Sequence, residues 1–174
     1  MLQFRNLDEP TRAHMLAEIE RDIASGLYIS SYFNDLGAQM WPGLIRAAAE
    51  TGDDRTLAQA IRASGGLKRQ TTRNTKKGTI YVDVPHNAHE TIAESNFSRF
   101  YIRALCLRAI ADGHGQVIGY RAKQVMEARP GSNEMIGQAF NEAEVLEDVR
   151  ATMSTAPRLG MPPGPNSGIL ALLP

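Results

Sequence analysis

The sequence predicts an α+β fold with several short helices, one long central helix and a small, mostly antiparallel sheet. Apolar residues recur at helical spacing between residues 9 and 65 and again between residues 88 and 111. Residues 67–84 are instead rich in threonine and valine and alternate in polarity, which is typical of strands. Residues 157–174 are rich in proline and glycine, which exclude regular structure. We therefore expect one α+β domain over residues 1–156 and an extended C-terminal arm over residues 157–174.

Three helices are expected in the N-terminal third of the chain. The first has a suitable N-cap in Asp8 and should end near Gly26. The second contains Pro42, which predicts a kink or a division into two short pieces. The third begins with an aspartate N-cap at Asp53 or the next residue, and it should end at the glycine pair that starts with Gly65.

The middle of the chain changes from helical to strand-like spacing and back. Residues 67–84 are expected to form a β-hairpin with a long basic tip around the turn-like segment Asn74–Gly78. The helix from about Ala88 to Ala111 has a broad apolar face and should lie at the centre of the core. Residues 117–125 are expected to add a third strand to the hairpin, and an acidic helix should follow over residues 141–153.

The composition restricts the class of protein. A chain of 174 residues with 43% hydrophobic residues is long enough to bury a core. Its net charge is zero, which argues against a surface that binds polyanions over its whole extent. The single cysteine, Cys106, lies in an apolar helical pattern, so we expect it to be buried. The chain has no signal-like segment and no apolar run of about 18 residues, so we expect a cytoplasmic or virion protein, neither secreted nor in a membrane.

The segment from Arg55 to Val82 contains seven cations and no acid. Threonine, asparagine and glutamine side chains lie between these cations and are able to donate hydrogen bonds to phosphate oxygens. A protruding basic ribbon of this kind is a candidate contact for nucleic acid or for an acidic partner protein. The residues assigned to this contact are Lys68, Arg69, Arg73, Lys76 and Lys77. Four further cations, Arg99, Arg103, Arg121 and Lys123, are a candidate extension of the basic surface, although such residues more often pair with acids, here Asp83, Glu90 or Glu94.

The same hairpin is also a candidate assembly arm, because the backbone groups at its edge are available to pair with another chain. The acidic helix near the C-terminus supplies the opposite charge. The arm beyond it ends in an apolar plug that should dock either on the chain's own body or on a neighbour. Docking on a neighbour favours an oligomer, and the residues assigned to that assembly contact are Ile169, Leu170, Leu172 and Leu173.

Candidate residues for metal binding and catalysis are few. His86, His89, Glu90 and Glu94 resemble a metal cluster, but their spacing does not assure the convergence of three or four ligands that zinc requires. A buried Cys106 would stay protonated and unreactive. The sequence contains no Gly-x-Ser-x-Gly elbow and no phosphate-binding glycine loop. We expect a non-enzymatic protein without a metal or cofactor.

The leading hypothesis is therefore a structural or assembly protein that is held in a homo-oligomer or a larger particle by its hairpin and its C-terminal arm. Only four of the 19 basic residues are lysines, an arginine bias typical of GC-rich bacterial and phage genomes. A phage-like head or tail accessory protein is the specific version of this hypothesis. The alternative is a nucleic-acid-binding module that uses the basic hairpin over residues 67–84.

Overall fold

A computed structural model describes residues 1–125, 131–152, 157–161 and 167–174. The fold is α+β, as the sequence predicts, with one long central helix. In chain order, the elements are α1 (Glu9–Ser25), α2 (Asp35–Thr51), α3 (Asp54–Ala63), β1 (Gln70–Thr75), β2 (Gly78–Asp83), α4 (Ala88–Asp112), β3 (Val117–Arg121), β4 (Ala139–Phe140), α5 (Glu142–Ala151) and β5 (Ile169–Leu172).

The N-terminal helices begin where their capping residues predict. The Asp8 side chain accepts a hydrogen bond from the Thr11 backbone N–H, and α1 ends at Gly26 in the left-handed conformation. Asp53 and Thr56 form a reciprocal capping box at the start of α3. Pro42 lies inside α2, which continues past it to Thr51 as one helix, so the predicted division into two pieces is wrong.

The central helix α4 is buried on most of its circumference because α1, α3 and α5 pack around it. Phe97, Phe100 and Tyr101 are fully buried, and Phe4 covers two of these rings in edge-to-face contacts. The ring centroids of Phe4 and Tyr101 are 4.9 Å apart. A helix that is buried on most sides lies in the middle of the core, as the sequence predicts for α4.

The strands form two separate antiparallel sheets. Strands β1 and β2 make a two-stranded hairpin, and β3 lies between β4 and β5 in a second sheet. The prediction that residues 117–125 extend the hairpin is therefore wrong, because both edges of β3 are already paired within the other sheet. This strand also ends earlier than predicted, at Arg121.

The C-terminal plug is the third strand of that second sheet. Leu170 pairs with Tyr120 and Leu172 with Ile118. Ile169 and Leu170 are buried and Leu173 nearly so, whereas Leu172 is half-buried. Of the two docking alternatives, the structure contains docking on the chain's own body. The proline- and glycine-rich residues 162–166 lie outside the described residues, as does residue 153, the predicted end of the acidic helix.

Among the helices that the structure describes, none combines the length and the apolar character that a membrane span requires.

Candidate functional site

The β1–β2 hairpin projects from the body and is anchored at its base. The Lys68 backbone N–H donates to the Tyr32 carbonyl over 2.9 Å, and the Lys68 ammonium donates to the Ser31 carbonyl over 3.0 Å. Beyond this base, nearly all residues of both strands are exposed, with only Thr71 and Val82 half-buried. The hairpin therefore offers two faces and two edges to a partner.

A contact between two glycines fixes the base of the hairpin against α2. A Cβ atom on Gly37 would lie 2.1 Å from the carbonyl oxygen of Gly66, a distance that no side chain permits. The same carbonyl accepts a hydrogen bond of 2.9 Å from the Asn34 backbone N–H. The linker between α3 and β1 thus lies directly on the first turn of α2.

The tip of the hairpin is shorter than the sequence predicts. Thr75 pairs with Gly78, so only Lys76 and Lys77 form the connection between the strands. Gly78 has a φ of 120°, which glycine adopts without strain. The tip is therefore a pair of adjacent lysines rather than a long loop.

Alternation along the strands divides the hairpin into two faces. We define the arginine face by Thr71, Arg73, Ile80 and Val82, and the tyrosine face by Gln70, Thr72, Asn74, Thr79, Tyr81 and Asp83. On the tyrosine face, the Gln70 amide donates to Asp83 over 2.9 Å and the Thr79 hydroxyl donates to Asn74 over 2.8 Å. Tyr81 lies between these two polar pairs and is 77% exposed.

Cations without a protein partner are concentrated in and around the hairpin. In the described part of the chain, six cations between residues 55 and 77 make no ion pair, side-chain hydrogen bond or ring contact. They are Arg55, Arg62, Arg69, Arg73, Lys76 and Lys77. Elsewhere, every described cation except Arg158 contacts a carboxylate, a carbonyl or an aromatic ring.

A cleft of about 410 Å³ opens beside the hairpin base, between α3 and the start of α4. Arg62, His86, Asn87 and His89 contribute polar groups to its lining. Glu90 also lines the cleft, and its carboxylate is 3.9 Å from the His89 imidazole. The cleft extends the polar surface of the hairpin base onto the body.

The histidines and acids at the start of α4 do not form a metal cluster. Glu94 is buried, and its carboxylate lies 2.7 Å from the Lys123 ammonium rather than beside His86 and His89. Throughout the described ranges, no group of three or more histidine, cysteine, aspartate or glutamate residues is placed to hold a metal ion.

All four cations assigned to an extended basic surface make contacts within the body. Arg99 and Arg103 are buried, and Arg99 donates to the Thr152 carbonyl. Lys123 pairs with Glu94. The fourth, Arg121, is half-buried and donates to the Ser167 carbonyl and the Asn133 side chain. The extension of the basic surface is therefore wrong, and the alternative of pairing with an acid is confirmed for Lys123 and Glu94.

The buried partners of Arg103 were not indicated by the sequence. Its guanidinium donates to Glu18 over 2.5 Å and to Asp22 over 2.6 Å, and Arg150 donates to the same glutamate from α5. Burial alone would raise the pKa of Glu18, but the hydrogen bonds and charges of Arg150 and Arg103 hold it below the ordinary value. This cluster joins α1, α4 and α5, and of its members only Arg150 lines one of the described cavities, a shallow one between α1, α4 and α5.

The acidic helix α5 offers less negative surface than its sequence indicates. Glu142 and Asp148 are buried, which leaves Glu144 and Glu147 exposed. The Asp148 carboxylate accepts the backbone N–H groups of residues 158 and 159 over 2.9 and 2.6 Å. Asp148 therefore secures the chain that follows the helix rather than a partner.

Cys106 is fully buried in α4, as predicted. Burial, together with the nearby Glu142 carboxylate, raises the pKa of its thiol to about 12. A thiol with this pKa stays protonated at neutral pH and is a poor nucleophile.

The assigned residues therefore fall into two groups. The hairpin brings together Lys68, Arg69, Arg73, Lys76 and Lys77, although Lys68 is held by a carbonyl. The plug residues Ile169, Leu170, Leu172 and Leu173 lie in the other sheet. The chain matches no protein-family model, no curated protein and no solved structure.

Proposed function

We propose that this protein is a non-enzymatic assembly protein whose projecting hairpin is its contact element. The observation that carries the proposal is the outer edge of β2. Its residues Thr79–Val82 carry no charge, and they include Ile80, 46% exposed, and Tyr81, 77% exposed. An uncharged apolar edge strand is a template for pairing with another chain.

The isolated position of the hairpin supports the same function. A two-stranded hairpin that packs on nothing is only marginally stable in water, and a third strand or a covering helix stabilises it. Natural edge strands are usually protected by lysine, proline or a bulge. Strand β2 has none of these between Thr79 and Val82. A partner that covers this edge would supply the missing stabilisation.

The C-terminal leucines no longer contribute an argument for assembly, because their apolar surface is largely used inside the chain. The specific version of the proposal, an accessory protein of a phage-like head or tail, is supported by the arginine-rich composition. The hairpin is thus the element on which the assembly proposal depends.

Photo-crosslinking in the cells that express the protein tests this proposal. Tyr81 is replaced by a photoreactive phenylalanine analogue, and the exposed residue Glu147 on α5 is replaced in a matched control. We expect a discrete protein–protein adduct from position 81 and none from position 147. Equal labelling from both positions, or no protein adduct from position 81, would refute a protein-binding role for the hairpin.

A nucleic-acid-binding module is the second candidate, supported by the concentration of unpartnered cations around the hairpin. Arg73, Lys76 and Lys77 point away from the body on a ribbon of a width that the major groove of DNA accommodates. A cation that is already paired with a carboxylate contributes little to phosphate binding. An unpartnered cation that binds a phosphate releases counterions from the nucleic acid, which favours binding.

Salt dependence tests this second candidate. Replacement of both Lys76 and Lys77 by alanine should weaken binding to any nucleic-acid sequence and lower the slope of log K against log salt by about 2. The matched control is Arg158→Ala, since Arg158 is also exposed and unpartnered in the described structure but lies outside the hairpin. An unchanged slope in the double variant would exclude the tip as a phosphate contact.

A further inference from the structure

We propose that two copies of this chain pair through the outer edges of β2, antiparallel and in register, with Tyr81 of one copy opposite Tyr81 of the other. The proposal rests on the assembly function of the hairpin and names its partner. It follows from the charge, the apolar pattern and the exposure of the two hairpin strands.

The charge pattern selects β2 rather than β1 as the shared edge. Strand β1 carries Arg73, and Arg69 directly precedes it, so two β1 edges would bring like charges together. Strand β2 carries no charge from Gly78 to Val82. Pairing through β2 leaves the arginines of both copies on the outer edges of a four-stranded sheet.

The apolar pattern selects the register. With Tyr81 at the two-fold axis, Ile80 of each copy lies opposite Val82 of the other, on the arginine face. The two tyrosine rings meet on the opposite face, where aromatic pairs across strands are favourable. A shift that instead places Ile80 opposite itself puts Val82 opposite Gly78 and Tyr81 opposite Thr79. That register has a single apolar pair, Ile80 with Ile80, in place of two Ile80–Val82 pairs, and it loses the aromatic pair.

The same register brings opposite charges together at both ends. Thr79 of one copy lies opposite Asp83 of the other, which brings Lys77, in the turn two residues before Thr79, close to that aspartate. One oxygen of Asp83 accepts the Gln70 amide, and its second oxygen has no donor among the described residues. The Lys77 ammonium is long enough to reach that oxygen. The two-fold axis repeats this ion pair at the other end.

Pairing also accounts for the exposure of the hairpin. Each copy supplies the neighbouring strand that the other lacks, and a sheet of four strands exceeds the two that are marginal in water. The interface is self-complementary, as a two-fold dimer requires. The lysine tip of each hairpin then lies beside the base of its partner's hairpin.

Disulfide trapping tests the register directly. The chain has one cysteine, Cys106, and it is buried, so an introduced thiol on β2 is the only accessible one in the folded protein. Residues directly opposite each other in adjacent strands have Cα atoms about 4.5–5.5 Å apart, which a disulfide spans. We expect Tyr81→Cys to form a covalent dimer on mild oxidation at least about tenfold faster than Thr79→Cys. Equal rates, or faster trapping of Ile80→Cys, would overturn the register.

Light scattering or sedimentation over a range of concentrations tests the dimer itself. Ile80→Lys should weaken dimerisation by about a hundredfold or more, because it places two lysines in the shared edge. Thr72→Lys is the matched control, since Thr72 is also exposed but lies on β1, the strand that is not at the shared edge. A wild-type protein that stays monomeric at a concentration of about 1 mM would overturn the proposal, because its free energy of association would then be weaker than about −4 kcal/mol.

A charge exchange provides a second variant pair. Lys77→Asp alone should weaken the dimer, and adding Asp83→Lys should restore it, because the ion pair is remade with opposite polarity. Failure of the dimer and failure of the assembly function are distinguishable. A monomer whose position 81 crosslinks to a different protein contradicts only the dimer, whereas a monomer without any protein adduct contradicts both.

Discussion

Arg103 and Asp22 form a two-pronged ion pair inside the protein. One guanidinium nitrogen is 2.6 Å from one carboxylate oxygen, and a second is 2.8 Å from the other oxygen. The arginine lies on α4 and is fully buried, and the aspartate lies on α1. The contact therefore ties the first helix of the chain to the central one.

Removal of that arginine should strongly destabilise the fold. Arg103→Met keeps the apolar volume but leaves Asp22 as a buried acid without its main partner and Glu18 with Arg150 alone. Breaking a buried ion pair in this way costs about 3–5 kcal/mol. Denaturant unfolding of the variant measures the loss. Arg46→Ala, which breaks an exposed pair with Glu20, is the control and should cost less than about 1 kcal/mol. Similar losses in the two variants would contradict a special role for the buried pair.

Acid should weaken the same cluster. Because its arginine partners hold the pKa of Glu18 below the ordinary value of 4.5, its stabilising contribution is fully present above that pH. The contribution is lost as the pH falls through the lower value in the folded protein. We expect Glu18→Gln to be less stable at pH 6 and to lose less stability between pH 5 and pH 3. Chemical denaturation over that pH range is the measurement, with Glu147→Gln as an exposed control. If the stabilities of the wild type and of Glu18→Gln fell in parallel with pH, Glu18 would not be responsible for the acid sensitivity.

Asp54 should have the opposite pH dependence. It is fully buried at the first turn of α3; one oxygen accepts the Leu2 backbone N–H over 3.0 Å, and the other has no partner among the described residues. Burial raises the pKa of this carboxyl, so the folded state gains stability as the pH falls through the raised value. Asp54→Asn should be more stable than the wild type at pH 8 by about 1 kcal/mol, with the advantage shrinking toward pH 4. A variant that is less stable at pH 8 would contradict this prediction.

The C-terminal strand should behave as core rather than as a detachable tail. Leu170 is 1% exposed against the body, so Leu170→Ala should cost about 2–5 kcal/mol. Leu172 is on the same strand but half-buried, and Leu172→Ala should cost clearly less. Thermal or denaturant unfolding compares the two variants. Equal and small effects would indicate that the strand contributes little to the stability of the body.

Local patterns predicted the hairpin and the helices, because alternation, capping residues and turn glycines act over a few residues. The partners of β3 could not be predicted in this way. Strand β4 has only two residues, and β5 follows a proline- and glycine-rich stretch that gives no strand signal. Strand pairing between such distant segments depends on the packing of the whole core rather than on either segment alone.

For the charged residues too, the sequence predicted local features but not contacts between distant residues. The excess of cations near the hairpin is visible in the composition, but the fate of each cation is decided by distant residues. Arg103 meets an acid 85 residues away, and Lys68 meets a carbonyl 37 residues away. Which cations remain without a partner is therefore a property of the tertiary structure.

The contact between Gly37 and Gly66 helps to set the direction of the hairpin without involving the side chains of its two strands. Main-chain atoms alone make this support, and they stay the same whatever side chains the strands carry. Residues along β1 and β2 are thus open to change without moving the support, whereas a single methyl group at position 37 would push the whole ribbon aside. The hairpin thus combines a fixed base with strands whose side chains can vary independently of it.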